Sequence, residues 1–349
     1  MKLYGYDFLV DAEDEGVRYA WQLEKNDINN FVESASFYSH RKETLDNISG
    51  YTTSVSSGCI LRTMHCPCRF CRTGTKLPFR RILSAKEIAV QNVMMVLADM
   101  FLSRDVRANK AKREFAYMGQ GEPGYSYPQV RMAIAITNKV MEELNQDVYR
   151  HIISTSGVPE MILAYLNDAK SGFYSSRVTL HFSLHLVDGR SKLMPINTLY
   201  PYEEVIDLLN KVQSVTGEKP CIGILLLPYF SPKNINATYN SDVSSIADIL
   251  SILNPEKVRL SFCELNMTSD VGNALEYPQD IAQKVLSIAK SMGFEAKLFS
   301  SFGKKDFSAC GMLGGKEPDI LIANSKYIEL EKQAVSLVDK IAAQLRRNI

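Results

Sequence analysis

An excess of charge of either sign is missing from this chain: 40 Lys and Arg stand against 39 Asp and Glu, for a net charge of +1. No overall basic field marks it for nucleic acid, so any such contact needs a local patch. Long hydrophobic runs are missing too, since no uninterrupted apolar stretch approaches the roughly 18 residues of a membrane span. The start, MKLYGYDFLVDAEDEG, reaches acidic residues too early for a secretory signal. A cytoplasmic protein with no membrane partner is expected. Internal repeats and low-complexity segments are absent, and nothing in the composition suggests disorder. Cysteine is sparse: there are seven, an odd number, in one local cluster plus isolated singles. That excludes a disulfide framework and fits a reducing compartment. With 46% hydrophobic and 23% charged residues, the 349-residue chain can bury a sizeable core as one large domain or two modest ones.

What is present is concentrated in SVSSGCILRTMHCPCRFCRTG, residues 54–74, where Cys59, Cys66, Cys68 and Cys71 fall within thirteen residues. Such clustering implies ligation. Structural zinc takes four N or S ligands in a closed tetrahedron, and His65 could complete such a set; an iron–sulfur cluster on three thiolates leaves one iron open. The aromatic inside Cys68-Arg-Phe-Cys71, the preceding serines and glycine, and the lack of a second Cys-x-x-Cys favour a cluster over zinc, with redox disulfides a third reading.

Elsewhere the pattern alternates. Ser84-Ala-Lys-Glu87 reads as a capping box, and Val90, Val93, Met94, Leu97 and Phe101 follow at helical spacing, predicting a helix with one buried face. Strand-like segments at 113–119, 149–155, 178–183, 221–227, 258–262 and 296–299 alternate with helical ones at 127–145, 159–168, 201–214, 243–253 and 278–292. A final amphipathic helix over 327–347 reads as outer packing. Near the start, residues 3–10 look like a short strand, the spacing over 22–34 allows a helix, and 52–56 offers a first strand before the cysteines. Apolar strands alternating with amphipathic helices argue for a parallel sheet covered on both faces, open or closed into a barrel.

Polar residues gather just after the strands: Gly119-Gln-Gly121-Glu122-Pro123, Ser154-Thr-Ser-Gly157, Ser183-Leu-His185, and Asn266. In a barrel all of them lie on the C-terminal rim, where such folds put their chemistry. Each also has a bland reading. The glycines make a turn, Glu122 is a solvated loop acid, His181 and His185 are hydrogen-bonded strand histidines, and Ser154 to Gly157 leads into a helix cap.

Taken together and in order, VSSGC, CRFC followed by TG, YMGQGEP, ISTSGVPE, FSLHLVDGRSKLMPIN followed by YP, and FGKKDFSACGML resemble the RlmN/Cfr family of radical S-adenosylmethionine enzymes, which methylate an adenine ring carbon in RNA. The resemblance implies a partial (β/α)6 TIM-like barrel over residues 51–313, after a small N-terminal extension, 1–50, and before a C-terminal helical extension, 314–349. It implies a [4Fe–4S] cluster on three cysteines with S-adenosyl-L-methionine on the fourth iron, which suits a cluster that must pass one electron to a sulfonium. Gly121 and Glu122 would hold the methionyl amino group, and Ser154, Ser183, His185 and Asn266 would line the rest of the site. Cys310 aligns with the methyl-carrying cysteine; its bland reading is a small buried hydrophobe. Ribosomal or transfer RNA and a one-electron donor such as flavodoxin or ferredoxin are the implied partners.

The chain departs from the family pattern in four places. The family's Cys-x3-Cys-x2-Cys is met by Cys68 and Cys71, but Met64 stands four before Cys68. Cys59 keeps the SSGC match and is the expected third ligand, with Cys66 as the alternative ligand or a spare thiol. Ser54 occupies the position of the cysteine that, in the family, resolves the covalent enzyme–RNA adduct by forming a disulfide, which a hydroxyl cannot do. Only about fifty residues stand in place of an N-terminal RNA-contacting domain, and a helix follows Cys310. Two alternatives go with these departures: a diverged radical enzyme acting on a small molecule or peptide, and a non-catalytic zinc-bound RNA-binding or scaffold protein.

Overall fold

The computed structural model describes residues 1–11, 14–24, 31–39, 47–102, 110–233, 236, 238–239, 242–266, 268–299, 313 and 321–347. Its strands among these residues are β1 (Lys2–Asp11), β2 (Asp14–Gln22), β3 (Phe31–Ser39), β4 (Ile48–Thr52), β5 (Ser56–Ser57), β6 (Arg81–Ile82), β7 (Lys112–Tyr117), β8 (Val148–Thr155), β9 (Val178–Ser183), β10 (Cys221–Leu226), β11 (Phe230–Pro232), β12 (Arg259–Glu264), β13 (Gly272–Ala274), β14 (Ala296–Phe299) and β15 (Leu321–Ile322). Eleven of them form one sheet in the order β14-β12-β10-β9-β8-β7-β4-β3-β2-β1-β15. From β4 to β14 every neighbouring pair is parallel. From β4 back to β1, and on to β15, every pair is antiparallel.

The parallel half follows from the sequence pattern. Strands such as β7, with five of its six residues buried, have apolar positions on both faces and need helices on each side. The crossovers supply them: Ala85–Leu102, Tyr127–Glu143, Pro159–Lys170, Tyr202–Leu209 with Val212–Thr216, Val243–Ser251 and Gln279–Ser291. The parallel run carries seven strands, β14 adding one to the expected six-stranded partial barrel. Because all seven point the same way, their following loops share one rim.

Three local expectations are corrected. The first parallel strand is Ile48–Thr52 rather than 52–56; beyond it the backbone peels off, with Thr53 N–H donating to Ala116 and Val55 N–H to the Gln120 carbonyl. The helix allowed over 22–34 is absent among the described residues there, because Phe31–Ser39 is a strand paired on both edges, with β2 and β4. Residues 32–36 of this strand are buried on both faces, so the period of two that marks a half-exposed strand is erased. The helix Ala85–Leu102 opens with the expected capping box, Ser84 N–H donating to Glu87 Oε2 at 2.9 Å and Glu87 N–H to Ser84 Oγ at 3.3 Å. It is buried all round from Ile88 to Ala98, not on one face, and Phe101 is 60% exposed. The C-terminal helix Ser325–Arg347 packs on its outer side.

That same helix ties down the antiparallel strands. Leu3 N–H donates to Glu331 Oε1 at 2.7 Å, and the Tyr6 and Tyr327 rings stack with centroids 3.9 Å apart.

A buried histidine gives the fold a definite acid response. His151 on β8 sits between Asn138 Oδ1, 2.8 Å from Nε2, and the Tyr117 hydroxyl, 3.1 Å from Nδ1. Burial pushes its pKa down from 6.5 to about 3. The unfolded chain therefore takes up a proton near pH 6.5 that the folded chain refuses until about pH 3, so stability is constant above pH 6.5 and falls as pH drops. His151 alone is expected to cost about 2 kcal/mol at pH 5 relative to pH 8. Urea titrations at the two pH values, comparing wild type with His151→Gln, isolate this difference; equal pH dependence in the two proteins would refute it.

Candidate active site

The cysteine loop leaves the sheet after β4 and is held at its base by side chains of the first crossover helix. Gln91 donates to the Ser54 carbonyl at 3.1 Å and accepts from Ser54 N–H at 3.2 Å, and Thr53 donates to Asn92 Oδ1 at 2.5 Å. Ser54 itself is fully buried: its hydroxyl donates to the Glu33 carbonyl at 2.5 Å and accepts from Gln120 N–H at 2.8 Å. It ties β3 to the loop after β7.

That loop, Gly119-Gln-Gly121, lies flat against the exit of the cysteine segment. A Cβ on Gly119 would meet Ser54 Oγ at 2.6 Å, and one on Gly121, whose φ is +105°, would meet Ser56 Oγ at 2.2 Å. These glycines do more than turn the chain: the two rim loops approach too closely for any side chain. Gln120 completes the join by accepting, through Oε1, from Gly58 N–H at 3.2 Å.

Between Cys59 and Cys66 the inserted residues fold into a compact turn. A 3-10 segment, Ile60–Arg62, is closed by His65 at φ +56°, with Cys66 N–H bonded to the Leu61 carbonyl at 2.8 Å and His65 N–H to that of Arg62 at 3.2 Å. This is the paired closure of a Schellman motif. His65 is exposed on this turn. After Cys68, the Arg69 N–H donates to the Leu193 carbonyl at 2.9 Å, and Cys71 opens the helix Arg72–Lys76.

The rim loops surround a cavity of about 310 Å³ that also runs down between the strands. Cys68, Cys71, Gly121, Glu122, Ser154, Ser183, His185 and Asn266 all line it. Cys59 and Cys66 lie behind that wall, 8% and 3% exposed, and Cys310 lies outside the described residues. Burial raises the Cys59 thiol well above its usual range, with Cys71 the next cause, and raises Cys68, followed by Cys71 and then Cys59. Cys71 is raised by burial against backbone donors. Cys66 is raised by burial and then by Glu122, with neither Cys68 nor Cys71 among the causes. Cys71 thus raises both Cys59 and Cys68, Cys59 raises Cys68, and Cys66 acts on Cys59 alone among these thiols and as the last cause.

Among the described residues no three His, Cys, Asp or Glu side chains stand in closed metal-binding geometry. The donor chemistry nonetheless suits an iron–sulfur cluster. Cys59, Cys68 and Cys71 are soft sulfur donors within electrostatic reach of one another and of Glu122, and their thiolates are disfavoured in this dry setting until an electropositive group compensates them.

Glu122 is 5% exposed and is saturated by the chain itself. Oε1 accepts from Gly124 N–H at 2.9 Å and Thr155 Oγ1 at 2.6 Å, and Oε2 from Ser156 N–H at 2.9 Å and Ser156 Oγ at 2.6 Å. With about four acceptor sites on a carboxylate, a further amino group would share or replace one of these donors. His185 has a positive φ of 63°, donates its N–H to the Gly223 carbonyl at 3.1 Å, and meets the Phe70 ring edge-on at 5.2 Å. Burial, then Arg190, lowers its pKa to about 3, so it is neutral at physiological pH.

The residue that sequence reasoning passed over is Arg190, inside the RSKLMPIN match. It is 1% exposed, and its guanidinium donates to the carbonyls of Ser156 at 2.9 Å, Ser183 at 2.8 Å and Leu184, and to Asn197 Oδ1 at 3.0 Å. One side chain therefore binds the loops after β8 and β9 together. A lone arginine in an otherwise apolar motif was the available signal.

No protein-family model matches the chain. It is 28% identical over 312 residues, 88% of its length and 78% of the relative's, to a probable dual-specificity RNA methyltransferase RlmN of Thermosipho melanesiensis. It is 28% identical over 274 residues, 76% of its length and 71% of the relative's, to the ribosomal RNA large subunit methyltransferase Cfr of Shouchella clausii. Its fold is similar to that of a radical SAM methyltransferase from Sphaerobacter thermophilus, with a TM-score of 0.70 over 89% of this chain and 81% of that one at 21% identity. The chain is thus similar over most of its length to proteins named as the methyltransferases RlmN and Cfr, and it shares the fold of a radical SAM methyltransferase.

Proposed function

We propose that the chain is a radical S-adenosylmethionine methyltransferase that passes a methyl group through Cys310 to an sp2 carbon of RNA, with Cys59, Cys68 and Cys71 as cluster ligands. The observation that carries this reading is the convergence on one cavity of Cys68, Cys71, Gly121, Glu122, Ser154, Ser183, His185 and Asn266, residues drawn from five separate rim segments. When bound, a [4Fe–4S] cluster and S-adenosylmethionine would supply a one-electron reductant and a sulfonium that is at once methyl donor and radical source.

The chain's residues do the rest. Gly121, Ser154, Ser183 and Asn266 offer short side chains and open backbone along the wall where the cofactor would lie. Glu122 fixes the loops after β7 and β8 through its four hydrogen bonds. A neutral His185 adds no positive charge beside a sulfonium. Phe70, Met118, Leu225, Leu265 and Phe299 on the same wall exclude water, which protects a carbon radical from quenching. A thiolate at Cys310 is a competent methyl acceptor.

One observation favours a cluster on Cys59, Cys68 and Cys71 over zinc completed by His65: His65 is exposed on its turn, whereas Cys59 is buried. RNA as substrate is supported by the names of the relatives and by charge. Residues 61–81 hold Arg62, Arg69, Arg72, Lys76, Arg80 and Arg81 and no acid, a local basic patch on the cysteine rim of a chain that is neutral overall.

The test uses anaerobically reconstituted protein. Cys310→Ala should keep the cluster spectrum and cofactor cleavage while losing methyl transfer altogether, and the wild-type tryptic peptide containing Cys310 should carry a methyl group by mass spectrometry. Full product formation by Cys310→Ala would rule out the carrier role.

A further inference from the structure

Below the rim, the cavity wall is charged at a depth where parallel barrels carry layers of Val, Ile and Leu. By the period of two along each strand, Arg150 on β8, His181 on β9, Cys221 on β10, Ser261 on β12 and Lys297 on β14 face the cavity. Register sets these strands side by side. His181 is paired with Cys221, Cys221 with Arg259, and Ser261 with Lys297. Three cations thus act on His181: Arg259 and Lys297 from β12 and β14 beyond β10, and Arg150 from neighbouring β8.

Their hydrogen-bonding differs. Arg150 is spent on Glu114, Nε and Nη2 both lying 2.6 Å from Oε2. Arg259 is different: its Nε and Nη2 are shut off from solvent and have no hydrogen-bond partner, and the same holds for His181 Nε2. Lys297, exposed on the edge strand β14, has its ammonium 5.7 Å from the Phe299 ring centre. The nearby acids are Glu114 itself and Glu295 and Glu264 at the edge, the latter accepting from Gln279 at 3.1 Å. Buried donors left unpaired on a guanidinium and an imidazole are costly, and such groups are ordinarily satisfied. An acceptor that meets all three at once resolves the cost.

We propose that the cavity floor between His181, Arg259 and Lys297 is a binding site for a phosphate-sized oxyanion. Arg259 supplies the fork of donors that suits tetrahedral oxygens, neutral His181 adds one N–H from Nε2, and Lys297 guards the open edge by which the anion enters. The anion is either a phosphate carried by the substrate or a free phosphate ion. The site does not depend on the radical reading, since His181 and Lys297 line the cavity, and Arg259 lies two residues before cavity-lining Ser261 on the same face of β12, whatever occupies the rim.

The test is calorimetric titration of the full-length protein with inorganic phosphate at constant ionic strength, without cluster or S-adenosylmethionine. Wild type should bind one phosphate per chain, and Arg259→Leu and Lys297→Met should each weaken binding about tenfold or more, as expected for loss of one charge-assisted contact. Lys297→Met changes an exposed edge position, so it guards against loss of fold in Arg259→Leu. As a second readout, phosphate should raise the melting temperature of wild type and lose that effect in both variants. In methylation assays, competition of phosphate with substrate would assign the site to a substrate phosphate, and retained binding with unchanged KM would assign it to a free ion. Absence of saturable phosphate binding, or equal affinity in wild type and both variants, overturns the proposal.

Discussion

Cys59→Ala protein is expected to lose essentially all of its iron on anaerobic reconstitution, whereas Cys66→Ala should hold wild-type iron and show the same charge-transfer absorbance. The two thiols are only seven positions apart and both are buried, so burial alone does not distinguish them. Their electrostatic neighbours do. Cys59 and Cys68 each feel Cys71, and Cys68 also feels Cys59, while Cys66 is raised by burial and Glu122 and is only the last cause acting on Cys59. Neighbouring thiols that disfavour a thiolate gain from a shared cluster, because each negative charge it compensates relieves the neighbour that feels it. With only two thiolates, a cluster lacks one of its three protein anchors and is expected to dissociate. Iron and sulfide analysis of both variants, with ultraviolet–visible spectra, decides the assignment. Iron retained by Cys59→Ala and lost by Cys66→Ala would move the third ligand to Cys66 and leave Cys59 as core.

Arg190→Met is expected to produce the largest loss of stability, about 3–5 kcal/mol. The guanidinium is encased, and burial brings even its pKa down to about 10, with Cys68 pulling the other way. It remains fully charged at neutral pH, and its cost is met by the carbonyls of Ser156, Ser183 and Leu184 and by Asn197 Oδ1. Methionine of similar reach leaves those acceptors buried and unpaired, which is what makes breaking one side of such a network expensive. Arg190→Lys should recover only part of the loss, because a point charge cannot serve three carbonyls in the plane of a fork. The two loops released are those that bring Ser154 and His185 to the cavity, so affinity for an S-adenosylmethionine analogue should fall with stability. Urea unfolding of both variants measures the first effect and analogue titration the second. A melting curve for Arg190→Met within about 1 kcal/mol of wild type would show that the loops hold without it.

How much of this was legible beforehand depended on the kind of signal each part leaves. Residues 178–183 and 296–299 were readable as strands to the residue, because short apolar runs bounded by turns have few alternatives. Phe31–Ser39 was not, since an interior strand covered on both faces keeps no alternation of apolar and polar residues. The same loss of contrast hid the full burial of Ala85–Leu102: its polar positions Gln91 and Asn92 look solvated in sequence, yet both are fully buried and bonded to Ser54 and Thr53.

The candidate site divides in the same way. The sequence by itself determined which residue types were present, their spacing and their order, and so the alternation of parallel strands and helices, the thiol cluster and the family it resembles. Tertiary structure alone decided which of the four clustered thiols line the cavity, that Glu122 has its acceptors filled by Thr155, Ser156 and Gly124, that Arg190 joins two rim loops, and that Arg259 and His181 stand in register on either side of Cys221. The physical reason is that periodicity and capping are local properties, written within a few residues. Which buried charge meets which acceptor is fixed by register between strands tens of residues apart, and that register exists only once the sheet has formed.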